Sequence, residues 1–80
     1  MFTVTVIFWL NGESVLQKSF LFKDLKVANK FMKSKYKELL NGVHRKTVIG
    51  TIYLNDYFEI NYSDGSDVTY WLTETQVMKG

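Results

Sequence analysis

The segment Phe2-Thr3-Val4-Thr5-Val6-Ile7-Phe8-Trp9-Leu10 alternates with a period of two and runs straight into Asn11-Gly12. Alternate side chains of a strand point to opposite faces of a sheet. Asn-Gly is the preferred pair for a tight hairpin turn. The chain therefore begins as a β-hairpin. Its first strand has a dry face (Phe2, Val4, Val6, Phe8, Leu10) and an amphipathic one (Thr3, Thr5, Ile7, Trp9). The second strand is expected from Glu13 to Phe22.

Two registers suit this hairpin. A two-residue Asn11-Gly12 turn pairs Phe8 with Val15 and Val6 with Gln17, and turns Leu16, Phe20 and Phe22 away from the dry face. A three-residue loop, Leu10-Asn11-Gly12, with Gly12 left-handed in a bulge, pairs Val6 with Leu16 and Phe2 with Phe20. The second gathers Val4, Val6, Phe8, Leu16, Phe20 and Phe22 on one face and is preferred, because a one-residue slip flips every side chain. It points Lys18 inward, where its charge must reach water at an edge.

Asp24 has the character of a helix N-cap, and Asn41-Gly42 of a C-terminal stop. The helix between them, Leu25 to about Leu40, places Leu25, Ala28, Met32, Tyr36 and Leu39 on one stripe, flanked by Phe31 and Leu40. Three more strands follow: Thr47 to Leu54, Tyr57 to Tyr62, and Ser66 to Leu72. Asn55-Asp56 and Ser63-Asp64-Gly65 separate them. A loop ending in a left-handed Gly65 pairs Ile60 with Val68 and Phe58 with Tyr70. The register of the third strand on the fourth stays open, and Gly50 is expected to admit the helix closely. The expected fold class is α+β: a single domain over residues 1–80 in the order β-β-α-β-β-β. It is an antiparallel sheet with one helix packed on one face. Residues 73–80 are expected to form a loosely ordered tail.

A chain of 80 residues with no cysteine has no disulfide to help it fold. Six Phe, five Tyr and two Trp supply the missing burial, since each aromatic ring can bury about 150–250 Å². The longest apolar run, Val6 to Leu10, falls far short of the roughly 18 residues that cross a bilayer. Met1 is followed at once by Phe2-Thr3-Val4, without a basic leader, so a cytoplasmic location is expected by default.

Catalysis finds little support in the residues. The one histidine, His44, sits in a Val-His-Arg-Lys loop, and no Gly-x-Ser-x-Gly elbow accompanies it. No catalytic residue, metal ligand or cofactor is therefore expected. Ser63-Asp64-Gly65-Ser66-Asp67 lacks the length and closing Glu of a calcium loop and is explained by a turn. No phosphate-binding glycine loop is present.

Charge is more informative. Between Lys18 and Lys46 stand nine basic residues against two acids, a net +7, while the other 51 residues carry −5. No basic residue occurs between Thr47 and Met78, where Asp56, Glu59, Asp64, Asp67 and Glu74 all fall. Lys26, Lys30, Lys33 and Lys37 lie within about 60° of one another on the helix. Their mutual repulsion costs about 1 kcal/mol over three pairs. With Arg45 and Lys46 they make a surface for an anion, such as a nucleic-acid backbone. Nine lysines against one arginine argue against base-specific readout, which favours arginine.

The second candidate surface is the uncovered sheet face, with Thr3, Thr5, Ile7, Trp9, Val15, Tyr57, Glu59, Asn61, Thr69 and Trp71. Tryptophan and tyrosine among small polar groups resemble an interface composition. Trp9, Tyr57, Glu59, Asp64, Asp67 and Trp71 are the residues expected to meet a protein partner, or a second copy in a homodimer. The residue usage adds one cue: Lys, Asn, Ile, Phe and Tyr make up 29 of 80 residues, as A+T-rich coding sequence produces. Phages and mobile elements of low-GC bacteria encode many such small proteins, often as inhibitors of a host protein. The expected function is a non-catalytic protein-binding module of that inhibitor type, acting by surface occlusion. The alternative is a nucleic-acid-binding module that uses the lysine row.

Overall fold

The computed structural model describes residues 1–41 and 47–74. Within them β1 (Phe2–Leu10), β2 (Glu13–Phe22), α1 (Leu25–Leu40), β3 (Val48–Tyr53), β4 (Tyr57–Tyr62) and β5 (Ser66–Glu74) follow one another. The five strands form one antiparallel sheet in the order β2-β1-β5-β4-β3. The expected α+β class and element order hold. The last strand therefore closes on the first, and the two edge strands, β2 and β3, are the ones joined through α1.

The first hairpin adopts neither expected register. Asn11 and Gly12 both take positive φ, 51° and 84°, as a two-residue turn of the type I′ kind requires. Leu10 pairs with Glu13 across it. A bulge then follows: Trp9 pairs with Ser14 and Phe8 with Leu16, leaving Val15 as the extra residue. One extra residue reverses side-chain parity along the rest of the strand. The chain thus keeps the tight Asn-Gly turn and still sets Leu16, Phe20 and Phe22 on the face of Val4, Val6 and Phe8. The expected grouping is retained, and the pairing slides so that Val4 meets Phe20 and Val6 meets Lys18. Lys18 is exposed on the edge strand, as its charge demands.

Asp24 caps α1, its Oδ1 accepting the Lys26 amide at 2.8 Å. Asn41 is the C-cap, its amide bonding the Lys37 carbonyl at 3.0 Å. Gly42 lies outside the described residues. A 16-residue helix is about 24 Å long, and five strands span about 19 Å between outer axes. One helix can therefore cross the whole sheet, as the ring contacts indicate. Phe31 packs on Phe20 and Phe22 of β2, with centroids 5.2 and 5.1 Å away. Tyr36 packs on Tyr53 of β3 at 4.5 Å and Phe58 of β4 at 5.2 Å. Ala28, Met32 and Leu39 are buried beneath the helix with Val4, Val6, Phe58, Ile60, Tyr62, Val68 and Tyr70. Leu25, expected on the buried stripe, is exposed; it stands in the first turn of the helix, at the β2 edge of the sheet.

The last two strands pair as expected, Ile60 with Val68 and Phe58 with Tyr70, and the Phe58 and Tyr70 rings stack at 4.5 Å. Burial, then the nearby Glu38 charge, then Tyr62 push the Tyr70 phenol up to about 12. Its neutral form is favoured by folding, so its contribution is full below pH 10 and is lost as pH rises from 10 towards 12. A stability titration should fall across that window for the wild type, and fall less steeply for Tyr70→Phe.

Two further expectations need correction. Thr73 and Glu74 are not tail residues but end β5, paired with Thr3 and Phe2, because β1 offers partners along its whole length. Residues 75–80 lie outside the described residues. Gly50 does not face the helix. It pairs with Asn61 on the opposite face, and a Cβ there would stand 3.2 Å from Asn61 Oδ1.

Gly65 is the more demanding glycine. Its φ is +88°, and an added Cβ would stand 2.5 Å from Asn11 Oδ1. This is where the two hairpin turns meet, the Asn11 amide bonding the Gly65 carbonyl at 2.9 Å. Gly65→Ala should cost about 1–2 kcal/mol from backbone strain alone, or roughly 5–15 °C in Tm. Gly12→Ala, with open space around it, carries strain without the clash and should cost less in the same thermal melts.

Candidate functional site

The face of the sheet away from α1 carries no second layer among the described residues, yet part of it is dry. Thr5, Ile7 and Thr69 are buried there. Flat side chains shield them. Trp9 leans from β1 towards β5, its Nε1–H donating to Thr69 Oγ1 at 3.1 Å. The Thr69 hydroxyl in turn reaches the Ile7 carbonyl at 3.5 Å. Trp71 stands opposite Thr5 on one side and Tyr57 on the other.

The arrangement follows from strand order. Placing β5 between β1 and β4 brings Trp9, Asp67, Thr69, Trp71, Tyr57 and Glu59 around one open hollow of about 290 Å³. Thr69 lies at the centre of its ladder position, with Ile7 on β1 and Glu59 on β4 as neighbours. Aromatic rings and two carboxylates line the rest.

Those carboxylates are held in place by neutral donors. Tyr57 donates its hydroxyl to Glu59 Oε1 at 3.0 Å. Asn61 Nδ2 donates to Asp67 Oδ1 at 2.9 Å and reaches Glu59 Oε2 at 3.4 Å. Burial, followed by the hydrogen bond to Glu59 and the Glu59 charge, raises the Tyr57 phenol above its ordinary value, which favours the protonated donor. Among the described residues no lysine or arginine is ion-paired with Glu59 or Asp67. The hollow therefore presents negative charge beside aromatic surface.

Five of the six residues expected to meet a partner, Trp9, Tyr57, Glu59, Asp67 and Trp71, thus line one site. Asp64 stands apart in the β4–β5 turn, where its Oδ1 accepts the Ser66 amide at 2.9 Å and the Ser66 hydroxyl. Its carboxylate shapes the turn. Val15 is the bulged residue and joins Phe8, Leu10 and Tyr62 at a smaller hollow near the hairpin end. Thr69 and Asn61 matter more than the sequence suggested. Alternation places both on this face, but only the pairing of β5 with β1 and β4 shows Thr69 anchoring Trp9 and Asn61 linking two acids.

The lysine row is on the other side of the molecule. Lys26, Lys30, Lys33 and Lys37 are all exposed on α1, and the last three line a shallow groove with Ser34. Lys35, outside the row, takes the acid: its Nζ is 3.2 Å from Glu38 and also sits over the Phe31 ring at 5.7 Å. His44, Arg45 and Lys46 lie outside the described residues. Among the described residues no group of three or more His, Asp or Glu side chains could hold a metal ion. No helix among them is long and apolar enough to cross a membrane.

Comparison of the chain with models of protein families, with curated proteins and with solved structures finds no match.

Proposed function

We propose that this chain is a non-catalytic protein-binding module, of the small inhibitor type, that occludes a partner through the open face of its sheet. One observation carries the reading: the gathering of Trp9, Trp71 and Tyr57 around Glu59 and Asp67 on a face with no second layer among the described residues. Rigid aromatic side chains anchor interfaces at small entropic cost. Fixed charges at their rim select the partner and orient it. A module of this kind needs no reacting group, because blocking the partner's surface is its whole action.

A tagged-chain pull-down from the cell that encodes the protein, with and without nuclease, tests this. The expected result is a stoichiometric protein partner that resists nuclease and is lost with Trp71→Ala, while circular dichroism shows that the variant folds. Undiminished capture by folded Trp71→Ala would remove the open face as the binding surface.

A second reading rests on the lysine row. Four lysines share one exposed helix face, and none of them is ion-paired among the described residues. Such a row can follow a phosphate backbone without reading its bases. It predicts a mobility shift with DNA or RNA at low salt, with log affinity falling by about 0.9 per phosphate neutralised for each tenfold rise in salt. Lys30→Glu with Lys33→Glu should abolish the shift. Absence of any shift at low salt removes the reading.

A further inference from the structure

We propose that the hollow between Trp9 and Trp71 receives a single arginine side chain of the partner protein. The proposal rests on the protein-binding reading above and names the chemistry that the site selects. Trp9, Trp71 and Tyr57 line the hollow, and aromatic rings attract cations through their π-electrons, guanidinium more often than ammonium. Its rim carries Glu59 and Asp67, drawn together by hydrogen bonds to one amide group, Asn61 Nδ2, at 3.4 and 2.9 Å.

A lysine ammonium is a compact point charge, whereas a guanidinium is a flat fork of five donors. It can lie against an indole while donating to both carboxylates at once. The hollow, at about 290 Å³, is open to solvent and large enough for such a side chain. The strands around it reinforce the selection: from Thr47 to Glu74 there is no basic residue to neutralise the site. An acidic or phosphorylated partner would be repelled by the same charges.

The two tryptophans of the chain report directly. Their indole N–H signals can be followed in a ¹⁵N-labelled sample titrated with N-acetyl-arginine methylamide, with the lysine and glycine analogues as comparison probes. The expected result is saturable movement of both indole signals with the arginine probe, at least about threefold weaker binding of the lysine probe, and none of the glycine probe. Glu59→Gln with Asp67→Asn, which keeps the shape and removes the charge, should weaken the arginine response at least tenfold.

Equal responses to arginine and glycine probes, equal affinity for arginine and lysine, or an unchanged response in the Gln/Asn variant would overturn the proposal. So would indole shifts that grow with protein concentration alone and vanish in Lys30→Glu with Lys33→Glu, since a second copy's lysine would then fill the hollow. The pull-down keeps the two claims separate. Partner loss with Trp71→Ala but no arginine response sinks the arginine proposal alone. A normal arginine response with undiminished capture sinks the protein-binding reading.

Discussion

Phe58→Ala should leave the protein at the edge of unfolding. Phe58 is 0 % exposed, on β4 between β5 and the helix, with its ring 4.5 Å from Tyr70 and 5.2 Å from Tyr36. Removing a buried phenyl ring costs about 3–5 kcal/mol through lost transfer energy and the cavity left behind. A domain of this size has about 4–12 kcal/mol in all. The substitution therefore removes a quarter of that stability or more. A thermal melt should show a Tm lowered by tens of degrees or no cooperative transition. Leu21→Ala on β2, where the side chain is 66 % exposed, should stay within about 0.5 kcal/mol of wild type. A loss below 1 kcal/mol for Phe58→Ala would mean that the helix does not close the core over β4.

Reversing both rim charges, Glu59→Lys with Asp67→Lys, should do the opposite: the fold survives and the partner is lost. Both side chains are half-buried and bonded only to neutral donors among the described residues. Replacing them breaks the Tyr57 and Asn61 hydrogen bonds, each of which contributes about 1 kcal/mol. The melting temperature should therefore drop by roughly 10–25 °C while the transition stays cooperative. At the interface the change is larger. Removing one side of a desolvated charge pair costs about 2–5 kcal/mol, a loss of roughly thirtyfold to several thousandfold in affinity, and reversal adds repulsion. Retention of the partner within threefold would show that the acids play no part in binding. A collapsed fold would be visible in the same melts and would point to the Trp71→Ala variant instead.

The sequence made some of this legible and concealed the rest for physical reasons. Period-two alternation located β1, β4 and the start of β5, although only β4 buries a single face, since Thr5, Ile7 and Thr69 are also buried on the second face of β1 and β5. Asp24 announced the helix start through its capping chemistry. The register of β2 stayed hidden because a bulge at Val15 interrupts the alternation that would reveal it. The adjacent apolar pair Val15-Leu16 was the trace it left. Strand order was not legible either, since the pairing of β5 with β1 joins residues more than fifty positions apart, and no local pattern encodes it. That pairing matters most for the site. Alternation put Trp9, Tyr57, Glu59 and Trp71 on one face, but it could not show that Thr69 would anchor the Trp9 indole. Nor could it show that Asn61 would tie Glu59 to Asp67. The face that Gly50 takes is not legible in the sequence, because the register of β3 on β4 carries its own irregularity, between Val48 and Gly50.

The lysine row and the two rim acids lie on opposite layers of the molecule: Lys26, Lys30, Lys33 and Lys37 are exposed on the helix, and Glu59 and Asp67 are on the bare side of the sheet. This separation turns the choice of binding surface into a question of position. A photo-crosslinking amino acid placed at Trp71 and, in a second variant, at Lys30 answers it inside the cell. The account predicts a protein adduct of one defined mass from position 71, none from position 30, and no effect of nuclease on either. An adduct from position 30 alone, or one that nuclease removes, would contradict it.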